Sequence, residues 1–136
     1  MERINPDGLH PTPGYHHITI SDAPRLVFLA GQCPLDEAGE LAGPGDLAAQ
    51  TAQVIRNIQV ALSGAGAGPA DVVRTVIYVA SADRADLGAV WQILRSSAIA
   101  EALTSASTLL GVAQLGYPGQ LVEIDVTAEL IPASHK

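Results

Sequence analysis

Two carboxylates, Glu123 and Asp125, stand two residues apart and alternate with Val122, Ile124 and Val126. In a strand this alternation puts both acids on one face and the apolar side chains on the other. Paired carboxylates beside a cleft can divide acid and base work, because burial and a like charge pull their pKa values apart. Tyr15 offers an apolar ring with a hydroxyl donor at its tip. Gly31 closes a compact apolar run, where the missing β-carbon lets backbone approach a ligand. His16 and His17 point to opposite sides of any strand, so only one can face a cleft. The other histidines, His10 and His135, complete no His/Cys/Asp spacing of a metal site, and no metal is expected. Cys33, the single cysteine, has no histidine partner in sequence and reads as a small buried hydrophobe.

Charge narrows the partners. Seven basic against fourteen acidic residues leave a net charge of −7, and no two of Arg3, Arg25, Arg56, Arg74, Arg84, Arg95 and Lys136 are neighbours. A phosphate backbone calls for clustered cations, so nucleic acid is not an expected partner. Met1 to Gly8 holds no apolar run able to act as a signal peptide or membrane span, and one cysteine suits a reducing compartment; a cytoplasmic protein with no membrane partner is expected.

The elements that must position these residues are legible from period and punctuation. The 136 residues match one domain, 1–136, large enough for a core without disulfides or structural metal. Residues 1–14, with three prolines and two glycines, read as an irregular arm. Residues 16–20 and 25–30 read as a β-hairpin. Leu47, Thr51, Val54, Ile55, Ile58 and Leu62 recur at helical spacing after Asp46, a plausible N-cap, with Gln50 and Asn57 on the opposite face; Gly64 and Gly66 end the helix. Val72 to Val79 is β-branched and suits a central strand. A second helix, 84–98, carries Leu87, Val90, Trp91 and Leu94, and runs 108–115 and 121–130 read as a second hairpin. The order ββαβαββ excludes a doubly wound parallel sheet and predicts an α+β layer with two helices on one face of a mixed sheet. With only 15% charged residues and no third helix to cover the other face, partner copies of the chain are the economical cover.

Four segments resemble the Rid family, the reactive-intermediate deaminases also called YjgF-like proteins or, in older naming, endoribonuclease L-PSP. They are Pro13-Gly14-Tyr15; Leu29 to Leu35 with the Gly39-Glu40 loop; the helix from Gln50 to Ile58 leading into Asp71 to Val79; and Gly111 to Leu115 with Val122 to Ala128. The resemblance spans about residues 12–131. It implies a chorismate-mutase-like fold, a homotrimer with clefts between subunits, and cofactor-free hydrolysis of imines and enamines of 2-keto acids. An arginine would grip the substrate carboxylate fork to fork, a carboxylate would orient the attacking water, and backbone groups would hold the rest.

Aligned on Val112 to Leu115, the chain departs from that pattern. Ser107 stands at the arginine position, Leu109 where a cysteine is frequent and Gly88 where typical deaminases carry asparagine; Asp125 takes the acid position. Losing a bidentate charged pair costs about 1.5–3 kcal/mol or more, at least about tenfold in carboxylate affinity. The implied reading is a divergent Rid-type trimer. It binds or acts on a small, uncharged or differently charged carbonyl, imine or enamine compound, with Asp125 and Tyr15 catalytic and Gly31, Ser107, Thr108, Gly88 and Leu109 binding substrate. Hydrolysis of simple 2-imino acids is in doubt. Arg95, four residues past Trp91, is a candidate replacement cation. The alternative is a non-catalytic metabolite-sensing or interaction trimer; a ribonuclease is the third and weakest reading.

Overall fold

The computed structural model describes residues 1–132; His135 and Lys136 lie outside the described residues. Six strands and two helices follow one another: β1 Glu2–Ile4, β2 Ile18–Ile20, β3 Arg25–Phe28, α1 Leu47–Ala65, β4 Val72–Val79, α2 Arg84–Arg95, β5 Ala106–Gly111 and β6 Val122–Leu130. Short 3₁₀ turns at Pro69–Asp71 and Ala100–Thr104 lead into β4 and β5. Helix α1 begins where expected: the Asp46 side chain accepts from Ala49 N at 3.0 Å. It ends where Gly66 takes a left-handed φ of 83°, with Ala67 N donating back to Leu62 O at 2.9 Å. Asp83 caps α2 in the same manner, and α2 stops at Arg95 rather than 98, where Ser97 turns its hydroxyl back onto Leu94 O.

The main sheet has the order β3-β6-β4-β5. It is mixed: β4 and β5 run parallel around α2, and the other neighbours are antiparallel. Both helices cover one face, packing Val54, Ile58 and Leu62 of α1 and Val90 and Leu94 of α2 against Ile77, Val79, Val122, Ile124 and Val126. The expected two-helix α+β layer therefore holds, while both expected hairpins are corrected. β2 pairs with β1 instead of β3, so the arm read as irregular contributes a strand. Pro24, which disfavours helical backbone at Ala23, stands in the passage from the small sheet to the main one. Likewise β6 does not pair with β5; β4 lies between them. A period-two pattern specifies a strand but not its neighbour. The alternation of β6 buries Val122, Ile124, Val126 and Ala128 and places it centrally, whereas β5 keeps Leu110 exposed at the edge.

A third correction concerns Gln50. The helical wheel puts it on the polar face, yet it is fully buried. Its amide donates to Gly119 O (3.1 Å) and Gly43 O (3.3 Å) and accepts from Leu121 N (2.8 Å), so the buried polar group is satisfied and ties α1 to the approach of β6. Asn57 does similar work, donating to Cys33 O and Leu35 O and fixing the segment that follows β3.

Candidate functional site

The residues singled out by sequence gather into two groups on opposite sides of the sheet. The first lines a cleft of about 460 Å³ between the free edge of β5 and α2: Pro13, Tyr15, Gly88, Trp91, Ser107, Thr108 and Leu109. A cavity of this size accommodates a small metabolite. Register explains the wall. Ser107 and Leu109 lie beside Thr75 and Ile77 of β4, whose side chains are buried under the helices, while Thr108 lies beside Val76 and faces the other way. Gly88 is open to the cleft, and a β-carbon there would meet nothing within 4 Å.

The Pro13 to Tyr15 wall is held by α2. Arg95 donates through Nη1 to Pro13 O, and its guanidinium carbon lies 6.0 Å from the centre of the Trp91 ring. Gly14, at φ 125°, admits the guanidinium, because a β-carbon there would sit within 2.9 Å of Nη2. Tyr15 meets Trp91 edge to face at 6.3 Å, and its hydroxyl lies 3.2 Å from His10 Nε2. Arg95, the replacement cation considered from sequence, thus bonds the cleft's own backbone and is not among the lining residues.

Ser107 is likewise committed inside the fold. Its Oγ accepts from Thr75 Oγ1 at 2.6 Å and donates to Ser105 O at 3.1 Å.

Asp125 and Gly31 do not line this cleft. They belong to a second group on the face the helices leave open, where Glu123, Asp125 and Tyr78 project together from β6 and β4. Tyr78 Oη donates to Asp125 Oδ2 at 3.2 Å. Burial and the neighbouring Asp125 carboxylate hold the Tyr78 phenol above its ordinary pKa. Gly31 packs on the acids, since a β-carbon there would lie 2.8 Å from Glu123 Cδ and 2.9 Å from Asp125 Oδ1.

Cys33 has a more specific position than a small hydrophobe. Its Sγ donates to Glu123 Oε1 at 3.2 Å, and Gln120 Nε2 donates to the same oxygen at 3.0 Å. Burial first, then the hydrogen bond and charge of Glu123, push the thiol up to about 11, so it is a protonated donor near neutral pH rather than a nucleophile. Sequence reasoning weighed Glu123 but passed over Tyr78, Gln120 and Cys33 as its neighbours. The alternation of Tyr78 against Ile77 and Val79 was the available signal for the first; the other two depend on loops that only the fold brings together. Among the described residues no His/Cys/Asp/Glu group is arranged to hold a metal ion, and no helix is long and apolar enough to cross a membrane.

Two helices on one face of this mixed sheet, with a cleft at its free edge, define the chorismate-mutase-like α+β class found in YjgF-type proteins. The sequence model of the family described as endoribonuclease L-PSP matches residues 7–130, and the chain belongs to that family, also known as the Rid family. A protein of unknown function of the conserved Rid family from Yersinia pestis is 39% identical, with a TM-score of 0.85 covering 95% of this chain and 98% of that one. A Mycobacterium tuberculosis member of the YjgF/YER057c/UK114 family is 34% identical, with a TM-score of 0.58 covering 87% of this chain and 88% of that one. The 3-aminoacrylate deaminase RutC of Acinetobacter baylyi is 36% identical over 92 residues, 68% of this chain and 71% of that protein.

Proposed function

We propose that the protein is a cytoplasmic homotrimer that binds a small imine, enamine or carbonyl compound in clefts between subunits and hydrolyses the imine or enamine forms. The observation that carries this reading is the division of the site. Tyr15, Gly88, Ser107, Thr108 and Leu109 converge on one cleft, while Gly31, Glu123 and Asp125 converge on the opposite face. Each group is half a site: the first has shape and largely apolar walls but no carboxylate or histidine among its lining residues, and the second has carboxylates that do not line that cleft. A neighbouring copy that lays its acid group against the cleft completes both. Leu26, Phe28 and Leu110, 48%, 74% and 40% exposed, supply apolar area for that contact.

In the assembled site the ring of Tyr15 covers the ligand and its hydroxyl donates to the carbonyl or imine. Backbone at Gly31 approaches the reacting carbon, and a carboxylate of the Glu123/Asp125 pair takes a proton from the attacking water. Asp125 is the acid the family alignment favours; Glu123 sits closer to Gly31 and is fixed by Cys33 and Gln120. Deaminase activity in a relative that covers two thirds of the chain supports the reaction class. Because Ser107 supplies no clamp of its own, turnover of simple 2-imino acids is expected to be low.

The test is ammonia and keto-acid release from 2-aminoacrylate and from 3-aminoacrylate, each generated enzymatically in the assay. Turnover lost in Tyr15→Phe and Glu123→Gln supports a deaminase. Binding of 2-oxobutyrate or its amide without any turnover supports the sensing trimer instead, a reading favoured by the internal bonding of Ser107 and by the Asp125 to Tyr78 hydrogen bond. With its net charge of −7 and dispersed arginines, the chain gives RNA cleavage no comparable support.

A further inference from the structure

Tyr15 lines the cleft, and its hydroxyl oxygen lies 3.2 Å from Nε2 of His10. His10 is not among the lining residues; it stands exposed on the arm, on the other side of the tyrosine tip. The sequence closes this pair by local means. Pro11, Pro13 and Gly14, the last at φ 125°, bend the chain back on itself, with Thr12 Oγ1 donating to Tyr15 O and accepting from Gly14 N at 3.4 Å. His17 then holds His10 in place. Its Nε2 donates to His10 O at 2.9 Å, its backbone N–H donates to Asn5 Oδ1 at 2.8 Å, and its ring meets that of His10 edge to face at 4.7 Å and that of Tyr15 at 5.8 Å.

A phenol hydroxyl carries a single proton, whereas an imidazole nitrogen accepts in one neutral tautomer and donates whenever the ring is charged. A bare Nε2 on neutral His10 therefore draws the Tyr15 proton away from the cleft. A protonated His10 cannot do so: its Nε2–H donates to Tyr15 Oη, and the phenol proton is left to turn toward a ligand. The charged groups around the pair do not compete for it. Among the described residues no carboxylate lies within 4.0 Å of His10 or His17, and Arg95, the cation packed on this wall from α2, donates to Pro13 O and lies over Trp91.

We infer that His10 is a positioning residue for Tyr15: protonation of its imidazole directs the Tyr15 hydroxyl proton into the cleft, so that a ligand with a carbonyl or imine acceptor binds more tightly as pH falls. This rests on the reading of Tyr15 as a hydrogen-bond donor given under Proposed function. The sign follows from linkage. A ligand that prefers the protonated ring binds with full affinity below the imidazole titration, loses affinity as pH rises through it, and takes up a proton on binding within it. The cleft, which has no histidine in its own wall, thereby acquires the response of one through the tyrosine.

The test is titration calorimetry of 2-oxobutyramide, a neutral carbonyl compound that does not itself titrate, with the full-length protein at about pH 5.5 and about pH 8, on either side of the ordinary imidazole range. The expected affinity is about two- to tenfold higher at the lower pH, the size of one neutral hydrogen bond. Between these values the measured heat should vary with the ionisation enthalpy of the buffer, the mark of proton uptake. His10→Gln and Tyr15→Phe lose both the pH dependence and the uptake. His10→Phe, which removes the competing nitrogen, binds equally at the two pH values with the affinity that the native protein reaches at the lower one. Equal affinity of the native protein at both pH values, a pH dependence that survives His10→Gln, or a uniform loss of affinity in His10→Phe overturns the inference, while weaker binding by Tyr15→Phe leaves the cleft reading standing. Failure of the native protein to bind 2-oxobutyramide at either pH overturns both.

Discussion

Gly31 and Glu123 are in such close apposition that a β-carbon on the glycine would press on the carboxylate carbon at 2.8 Å, with Asp125 Oδ1 only 2.9 Å away. No backbone atom is among these nearest neighbours, only the ends of two side chains, but Glu123 is held by Cys33 and Gln120 and Asp125 by Tyr78. Gly31→Ala is therefore expected to displace both acids at the cost of those hydrogen bonds, with a fall in melting temperature corresponding to about 1–2 kcal/mol. Ligand affinity or turnover should fall at least about tenfold, the consequence of losing one charged hydrogen bond. A thermal melt paired with an activity or binding assay separates the two effects.

The thiol beside those acids makes a pH prediction. Cys33 is raised from 9.0 to about 11, so at pH 8 it carries about a hundredfold less thiolate than an ordinary cysteine. Its alkylation by iodoacetamide should be correspondingly slow and should rise through a midpoint near the upper value. In Glu123→Gln the midpoint should fall, though not completely, because burial is the larger cause. The sign for stability follows: a group whose pKa is higher folded than unfolded contributes below its ordinary value and loses that contribution as pH rises through the folded one. Native Cys33 thus gives an alkaline loss of stability between 9.0 and about 11 that Cys33→Ser lacks.

Gly88 sits in the interior of α2 with open space around its missing side chain. Gly88→Ala should stabilise the fold by about 0.5–1 kcal/mol, since glycine is poor in a helix and the new methyl clashes with nothing. It also narrows the cleft, so ligand affinity should change while the melting temperature rises. Chemical denaturation alongside ligand titration reads both.

Gly14 and Arg95 give the opposite outcome. The left-handed φ of 125° and the guanidinium packed on Gly14 leave no room for a methyl group. Gly14→Ala is expected to destabilise by about 1–3 kcal/mol and to release the Pro13 to Tyr15 wall. Arg95→Ala should loosen the same wall without the backbone strain, seen as a smaller loss of stability and a red shift in the emission of Trp91, the only tryptophan.

Much of this arrangement was legible in the sequence, for identifiable reasons. Asp46 and the glycines near 66 mark the ends of α1 because caps are local, and Val72 to Val79 reads as a central strand because its chemistry is uniform. The alternation around Glu123 and Asp125 correctly places them on a common face. Strand neighbours were not legible: β2 finding β1, and β4 coming between β5 and β6, depend on which strands bury deepest. The cleft's lining at Tyr15, Gly88, Ser107, Thr108 and Leu109 followed from family position. The internal bonding of Ser107 to Thr75 did not, because it depends on a parallel register 32 residues apart in sequence.

The central claim is that one subunit's cleft and its neighbour's carboxylates make one site. Subunit mixing tests it most directly, with Tyr15→Ala protomers, which keep the acids, unfolded and refolded together with Glu123→Gln/Asp125→Asn protomers, which keep the cleft. Each preparation alone should be inactive, and in a one-to-one mixed trimer about a quarter of the junctions should combine an intact cleft with intact acids and recover activity. If the mixture stays as inactive as its parents while the native protein, refolded identically, regains full activity, the two groups do not belong to one shared site.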